Sequence, residues 1–248
     1  MLDSRERFSP DERDYYPTML VGSQALQPDG APLLRGGGSP GRADAAQHAA
    51  AATGPFWRSK RVFDVVLTIA GAPVVLAVGS ALLLANPVVN RGPLLFWQRR
   101  MGRGGRPFWA AKFRTMRPED GAARGPDDPV EEDRITPLGR FLRRSRLDEL
   151  PQFWNVLRGE MSLIGPRPDI YEHALHYAAE VPGYAERHSV RPGISGYAQV
   201  TLGYVEGSAF TYRKALKDRV YIEHACWALE TRIILRTMRV MASGFGAK

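Results

Sequence analysis

The sequence predicts an α+β protein attached to a membrane by a monotopic anchor, one that enters the bilayer and does not cross it. Three observations predict it. A long apolar stretch is almost free of charge. Two aromatic, apolar segments are separated by glycines. Capped amphipathic helical patterns follow them. With 248 residues, 44% of them hydrophobic, the chain suffices for one compact domain with additions and not for two full enzymatic domains.

Lys and Arg number 34 against 26 Asp and Glu, a net charge of +8. That bias points to an anionic partner: nucleic acid, a phosphorylated metabolite or an acidic membrane surface. The single cysteine, Cys226, excludes a disulfide framework and a cysteine-rich zinc module, and fits a reducing compartment.

Residues 1–55 read as a disordered N-terminal tail. They are rich in Gly, Pro and Ala, include Gly36-Gly37-Gly38, and show no sustained apolar period. No apolar run follows the start Met, so no secretory signal is expected. Val62 to Ala85 then carries one charge, Asp64. As a helix it would be ~36 Å long against a hydrocarbon core of ~30 Å. Ala72-Pro73 lies near its middle, where proline removes a backbone donor and favours a kink. Arg58, Lys60 and Arg61 precede it, and Arg91, Arg99, Arg100, Arg103 and Arg106 follow it. Both flanks qualify as cytoplasmic by the positive-inside rule. A re-entrant membrane helix over residues 56–86, bent at Ala72 and Pro73, satisfies both flanks. An ordinary kinked span is the alternative.

Residues 87–248 form the remaining domain. Phe96 to Gly102 and Phe108 to Met116 flank Gly104-Gly105 and read as a short β-hairpin. An acidic loop occupies residues 118–133. Thr136-Pro137 opens a helix running to about Arg144, a capping side chain followed by proline at the first position. A second helix opens near Asp148, with Leu147, Leu150, Trp154 and Leu157 on one buried face and Gly159 as its stop. Gly165-Pro166-Arg167-Pro168 reads as a rigid turn, and residues 170–188 as helix. Arg191 to Gly196 reads as a loop leading to a strand, Tyr197–Val200. Val220–Val240 reads as one amphipathic helix with Ile222, Cys226, Leu229 and Ile233 in a stripe. Its Arg232, Arg236 and Arg239 suit an anionic lipid surface, and packing on the domain core is equally compatible.

The most informative stretch is Arg143 to Gln152. Asp148 and Glu149 are adjacent at a predicted helix start, directly after three arginines. Neighbouring side chains on a helix diverge, which suits two different jobs. An ionised carboxylate can attack phosphorus without a general base, provided that cations reduce its repulsion from phosphate. The alternative is a capping aspartate beside a surface acid. Arg167 and Arg191 each sit in a stiff proline turn, which suits phosphate oxygens or a solvated surface turn. Gly102, Gly104 and Gly105 match a phosphate loop only superficially, and His173 with His176 lacks a third metal ligand. A basic adaptor that binds nucleic acid is the rival reading, but no reader motif is present.

Taken in order, several motifs resemble the bacterial sugar transferase family, the monotopic phosphoglycosyl transferases, over about residues 58–240. They are Lys60-Arg61-Val62-Phe63-Asp64, Lys112-Phe113-Arg114-Thr115-Met116, Leu147-Asp148-Glu149-Leu150-Pro151-Gln152, Asn155 to Pro168 and Arg191 to Val200. The resemblance implies a small catalytic-core form on the cytoplasmic face of the bacterial inner membrane. It implies transfer of a phospho-sugar from a UDP-sugar to undecaprenyl phosphate, with UMP released, at the start of exopolysaccharide, capsule or O-antigen assembly. It implies that Asp148 is the nucleophile of a covalent phospho-sugar intermediate, that Glu149 completes the dyad, and that both meet Mg²⁺. Lys112, Arg114, Arg143, Arg167, Arg191 and Gln199 are its expected phosphate and substrate contacts. The expected partners are the two substrates and membrane lipids, with self-association left open and no nucleic acid. The chain departs from the family at Ala72, where Ser is frequent, at Thr201-Leu202-Gly203-Tyr204, and at Glu230, where Asp is frequent.

Overall fold

The computed structural model describes residues 54–90, 92–117, 125, 131–202 and 208–243. The expected tail, apart from its last two residues, and most of the acidic loop lie outside them.

The first helix, α1 (Pro55–Val89), is 35 residues long, and its polarity is reversed relative to a helix on a water-soluble core. Its buried residues include Lys60, Asp64 and Thr68, spaced four apart along one face. Its outward face is apolar, with Leu84 81% and Val88 80% exposed and Val62, Val66, Ile69 and Leu76 beside them. In water the stripe would face the core. The outward face therefore calls for lipid. The helical backbone continues through Ala72 and Pro73, so the expected bend is not a break in the helix.

Both ends of α1 rest on the domain. Near the start, Lys60 Nζ lies 2.6 Å from Glu230 Oε2 and 3.5 Å from Asp64 Oδ1. Asp64 also accepts from Ser162 Oγ at 2.7 Å and from the Leu163 amide at 3.3 Å. Tyr221 donates to Glu230 Oε1 at 2.6 Å. Midway, a Cβ at Gly71 would lie 2.7 Å from the Phe153 ring, so any larger residue would have to displace that ring. Toward the far end, Leu82 packs with Phe113 and Leu142, and Asn90 Nδ2 donates to the Arg114 carbonyl at 2.9 Å. Breaking the Lys60 pair should therefore loosen the anchor. Lys60→Met leaves Glu230 and Asp64 buried beside an apolar side chain, and should cost about 3–5 kcal/mol, read as a lowered thermal midpoint of the purified protein.

The hairpin forms as expected. Strand β1 (Leu95–Met101) pairs antiparallel with β2 (Pro107–Phe113), Gln98 opposite Ala110. Gly104 and Gly105 turn the chain with φ of +67° and +73°, a region that L side chains rarely adopt. The second helix, α2 (Pro137–Ser145), is capped by Thr136 Oγ1, which accepts from the Gly139 amide at 3.0 Å.

The next segment differs from its expectation. Leu147–Glu149 is a 3-10 turn, and the α-helix α3 begins only at Gln152 and ends at Arg158. Pro151 has no N–H to give the Leu147 carbonyl, so the i to i−4 ladder cannot start there. The Leu150 amide instead donates to Leu147 O at 3.2 Å, and Phe153 to Leu150 O at 3.0 Å, both i to i−3. The tighter winding carries Trp154 and Leu157 off the buried face, leaving them 55% and 38% exposed, while Gln152, Asn155 and Val156 are buried.

Beyond α3 come β3 (Ser162–Ile164), α4 (Tyr171–Glu180), a 3-10 stretch (Tyr184–Ser189), β4 (Gly193–Ser195), α5 (Tyr197–Leu202), α6 (Ser208–Glu223) and α7 (Trp227–Ser243). The expected helix over 170–188 is interrupted at Pro182-Gly183, where Gly183 has φ +75°. The expected loop contains β4, which pairs parallel with β3, and the expected strand at Tyr197–Val200 is helical α5. That pairing needs glycine, because a Cβ at Gly193 would lie 2.1 Å from the Gly165 nitrogen. Glycine-rich pairing segments read as loop. The expected helix Val220–Val240 is two helices with a break before Trp227. Ile222, Leu229 and Ile233 are buried with Ile164, Val190 and Tyr221, whereas Cys226 is exposed at the break.

Candidate active site

The 3-10 turn places Asp148 and Glu149 under the hairpin, both buried, with side chains in different environments. Arg146 just before them adopts a left-handed backbone, φ +58°, the only non-glycine residue among those described to do so. A non-glycine residue held there marks a turn that the surrounding structure enforces.

Glu149 is held on both oxygens. Arg167 Nη2 lies 2.5 Å from Oε1, and Nη1 lies 3.2 Å from Oε2. Lys112 Nζ adds a contact to Oε1 at 3.3 Å. Burial alone would raise the Glu149 pKa. The Arg167 guanidinium and the Lys112 ammonium outweigh it and hold the carboxyl well below the ordinary range. Asp148 is the opposite case. Neither of its oxygens accepts a hydrogen bond or forms an ion pair among the described residues. Burial and the neighbouring Glu149 raise its pKa, against the pull of Lys112, Arg167 and Arg143. Lys112 is itself brought below the ordinary lysine range by burial, with Arg167 and Arg100 adding to the shift against Glu149.

Arg143 is aimed by Thr115, whose Oγ1 accepts from Nε at 3.0 Å. Gln199 Nε2 donates to the Ile194 carbonyl at 3.3 Å, which Arg167 Nη1 also reaches at 3.5 Å. The structure thus gathers Asp148, Glu149, Lys112, Arg143 and Arg167, with Gln199 one carbonyl away. It does not bring Arg114 or Arg191 to them. The Arg114 guanidinium is turned to the end of α1, donating to the carbonyls of Pro93 at 2.8 Å and of Asn90. Arg191 donates from Nε to the Gly159 carbonyl at 2.9 Å and faces a different cavity.

Several supporting residues escaped the sequence. Asn155 accepts from the Ala111 amide at 3.1 Å and donates to the Trp109 carbonyl at 2.7 Å, fixing α3 to the free edge of β2. Arg187 donates to the Arg167 carbonyl at 2.7 Å, and pairs with Asp218 at 2.7 Å and with Asp169. Lys214 contacts Asp169 at 2.5 Å. This buried ionic group stiffens the turn that carries Arg167. Its members are distant in sequence, and no local pattern marks them.

Among the described residues no group of three or more His, Cys, Asp or Glu could enclose a metal. Two carboxylates are nevertheless enough for a hard divalent cation that keeps waters and substrate phosphates as its other ligands. Asp148 offers unclaimed oxygens for this. Glu149 offers only lone pairs that Arg167 and Lys112 leave over.

A membrane-facing helix beside a cation-ringed free carboxylate defines a membrane-associated enzyme with a site suited to anionic substrates. The family profile described as bacterial sugar transferase matches residues 56–244, and the chain belongs to that family. It is 40% identical over 196 residues to a UDP-N-acetylgalactosamine-undecaprenyl-phosphate N-acetylgalactosaminephosphotransferase of Aeromonas hydrophila, covering 76% of this chain and 45% of that protein. It is 44% identical over 193 residues to a UDP-glucose:undecaprenyl-phosphate glucose-1-phosphate transferase of Caulobacter vibrioides, covering 72% and 68%. An exopolysaccharide production protein of Rhizobium leguminosarum is 35% identical over 189 residues, covering 72% and 92%. The chain therefore spans less than half of the first relative and about two thirds of the second.

Proposed function

We propose that the protein transfers a phospho-sugar from a UDP-sugar to undecaprenyl phosphate, releases UMP, and so begins assembly of an exopolysaccharide or a related glycan. One observation supports this reading above the rest. Of two adjacent buried carboxylates, Glu149 is bound on both oxygens by cations, and Asp148 has no hydrogen-bond or ion-pair partner among the described residues. In the proposed first step, an Asp148 oxygen bonds to the sugar-bearing phosphorus. The bond from that phosphorus to the oxygen of UMP breaks, and UMP leaves with the electron pair. In the second step, an oxygen of undecaprenyl phosphate attacks the same phosphorus, and the bond to Asp148 breaks, restoring the carboxylate. Arg143, Arg167 and Lys112 supply the positive field in which two anions can meet. Mg²⁺, held by Asp148 and the remaining lone pairs of Glu149, would supply charge neutralisation on the diphosphate.

The proposal places the enzyme on the cytoplasmic face of the inner membrane with α1 re-entrant. A crossing helix leaves one end across the bilayer from its domain, whereas both ends of α1 touch this domain. Single cysteines replacing Ser59 and Leu95, in a Cys226→Ser background, should react with an impermeant reagent from the same side. Labelling from opposite sides would overturn the fold-back.

The activity itself is tested with detergent-solubilised full-length protein, undecaprenyl phosphate and a panel of UDP-sugars. UMP release with at least one sugar is expected, and EDTA should abolish it. Release from none of them refutes the reading, and release that survives EDTA removes the metal from it.

A further inference from the structure

A second cluster of cations lies apart from the dyad. Arg61 of α1, Arg103 of the hairpin turn and Arg191 before β4 line one cavity at the root of α1, together with Trp57, Lys60 and Asp64. Each guanidinium is anchored by backbone carbonyls. Arg61 donates to Val156 O at 2.6 Å and Leu157 O at 3.0 Å, Arg103 Nε to Ser189 O at 3.2 Å, and Arg191 Nε to Gly159 O at 2.9 Å. None of the three forms an ion pair with a carboxylate among the described residues, and the Nη atoms of Arg103 and Arg191 donate to nothing there. The one acid in the lining, Asp64, is occupied by Lys60, Ser162 and the Leu163 amide. Lys60 in turn is occupied by Glu230.

Three guanidiniums therefore share a half-buried space with no counter-charge of their own. Burial, then Arg61 and Arg103, lower the Arg191 pKa against Asp64, which reports the repulsion. The charges that bear most on Asp148 and Glu149 are Lys112, Arg143, Arg146 and Arg167, a set that shares no member with these. Part of the arrangement has a structural use. Arg61 and Arg191 hold carbonyls at the end of α3, where cations are favoured. Arg103 holds the last carbonyl of the 3-10 stretch through Nε alone, comes from another element, and still points its charge into the same cavity.

We propose that this cavity is a phosphate-binding site separate from the dyad, taking a phosphate mono- or diester through the forks of Arg61, Arg103 and Arg191. Its surroundings suit a lipid headgroup. Phe56, Phe63 and Trp227 pack edge to face beside it, as aromatic residues do at a bilayer interface, and the apolar outward face of α1 begins there. A soluble phosphate offers the same chemistry, so the test has two arms.

The full-length protein carrying Asp148→Asn, so that no turnover intervenes, is titrated in detergent with inorganic phosphate by calorimetry. In parallel it is bound to phosphatidylcholine vesicles with and without 10 mol% phosphatidic acid. Arg103→Gln should weaken binding at least tenfold in one arm or both. An effect in the phosphate arm assigns a site open to soluble phosphate, and an effect confined to the vesicles assigns a headgroup site. Binding within twofold of the parent in both arms overturns the proposal. If Arg103→Gln unfolds, Arg103→Lys decides the point. It keeps the charge and loses the fork, so weakened binding supports the site and unchanged binding overturns it.

Discussion

Asp148→Asn lowers UMP release at least about 10⁴-fold and makes the fold more stable. The first effect follows if, as proposed, Asp148 supplies the attacking oxygen, and it is checked by intact mass. Wild-type protein stopped during turnover should carry a sugar-phosphate adduct, and the variant should not. Wild-type turnover in the variant would end the nucleophile role. The second effect follows from the raised pKa of Asp148, caused by burial and by Glu149. A carboxyl whose pKa is raised by folding binds its proton more tightly in the native state. Its stabilisation is fully present below the unfolded pKa and is lost as pH rises through the folded pKa. At neutral pH the ionised group is thus a liability, which the neutral amide removes. A gain of about 1 kcal/mol, or roughly 2–4 °C in thermal midpoint, is expected at pH 7.5 and should vanish in acid. The same shift places the acid limb of the activity profile above the ordinary aspartate range.

Arg167→Gln has the opposite consequence for stability. It strips Glu149 of its two-pronged partner and leaves a buried carboxylate with Lys112 alone. Losing one member of such a pair costs about 3–5 kcal/mol. Folding depresses the Glu149 pKa, so its contribution is present above the unfolded value, near 4.5, and is lost as pH falls through the folded value. Denaturant titrations should therefore show the largest gap between wild type and variant near neutral pH and a narrowing gap in acid. Transfer should fall about 10²–10³-fold, because the developing phosphate charge loses a fixed donor. Arg167→Lys should recover little, since an ammonium cannot satisfy both oxygens. A variant as stable and as active as wild type would contradict the arrangement.

Legibility in the sequence followed the range of the interaction. Thr136-Pro137 and Gly104-Gly105 act through their neighbours and formed the expected cap and turn, and the apolar run from Val62 formed a helix. The pairing of β3 with β4 depends on backbones meeting at Gly165 and Gly193, and a glycine-rich segment carries no strand signal until its partner is known. Pro151 moves the helix start from near Asp148 to Gln152 and leaves Trp154 and Leu157 outward, because the missing amide falls where the ladder would begin. In the site, the adjacency of Asp148 and Glu149 was visible, but their inequality was not. It arises from Arg167, brought in by a turn that Arg187 and Asp169 brace from far along the chain. Arg191 shares the residue type and proline-turn context of Arg167, and Arg114 the residue type alone, and only packing separates a helix clamp and a second cavity from the dyad.

The reversed polarity of α1, with contacts to the domain near both ends, leaves the anchor no slack. The carboxylate proposed as nucleophile, Asp148, is thereby held at a set height relative to α1. A spanning segment answers to bilayer thickness by tilting. The proposed fold-back into one leaflet would not, so on that reading turnover should be indifferent to acyl-chain length in the opposite leaflet and sensitive to crowding of the headgroups around the helix.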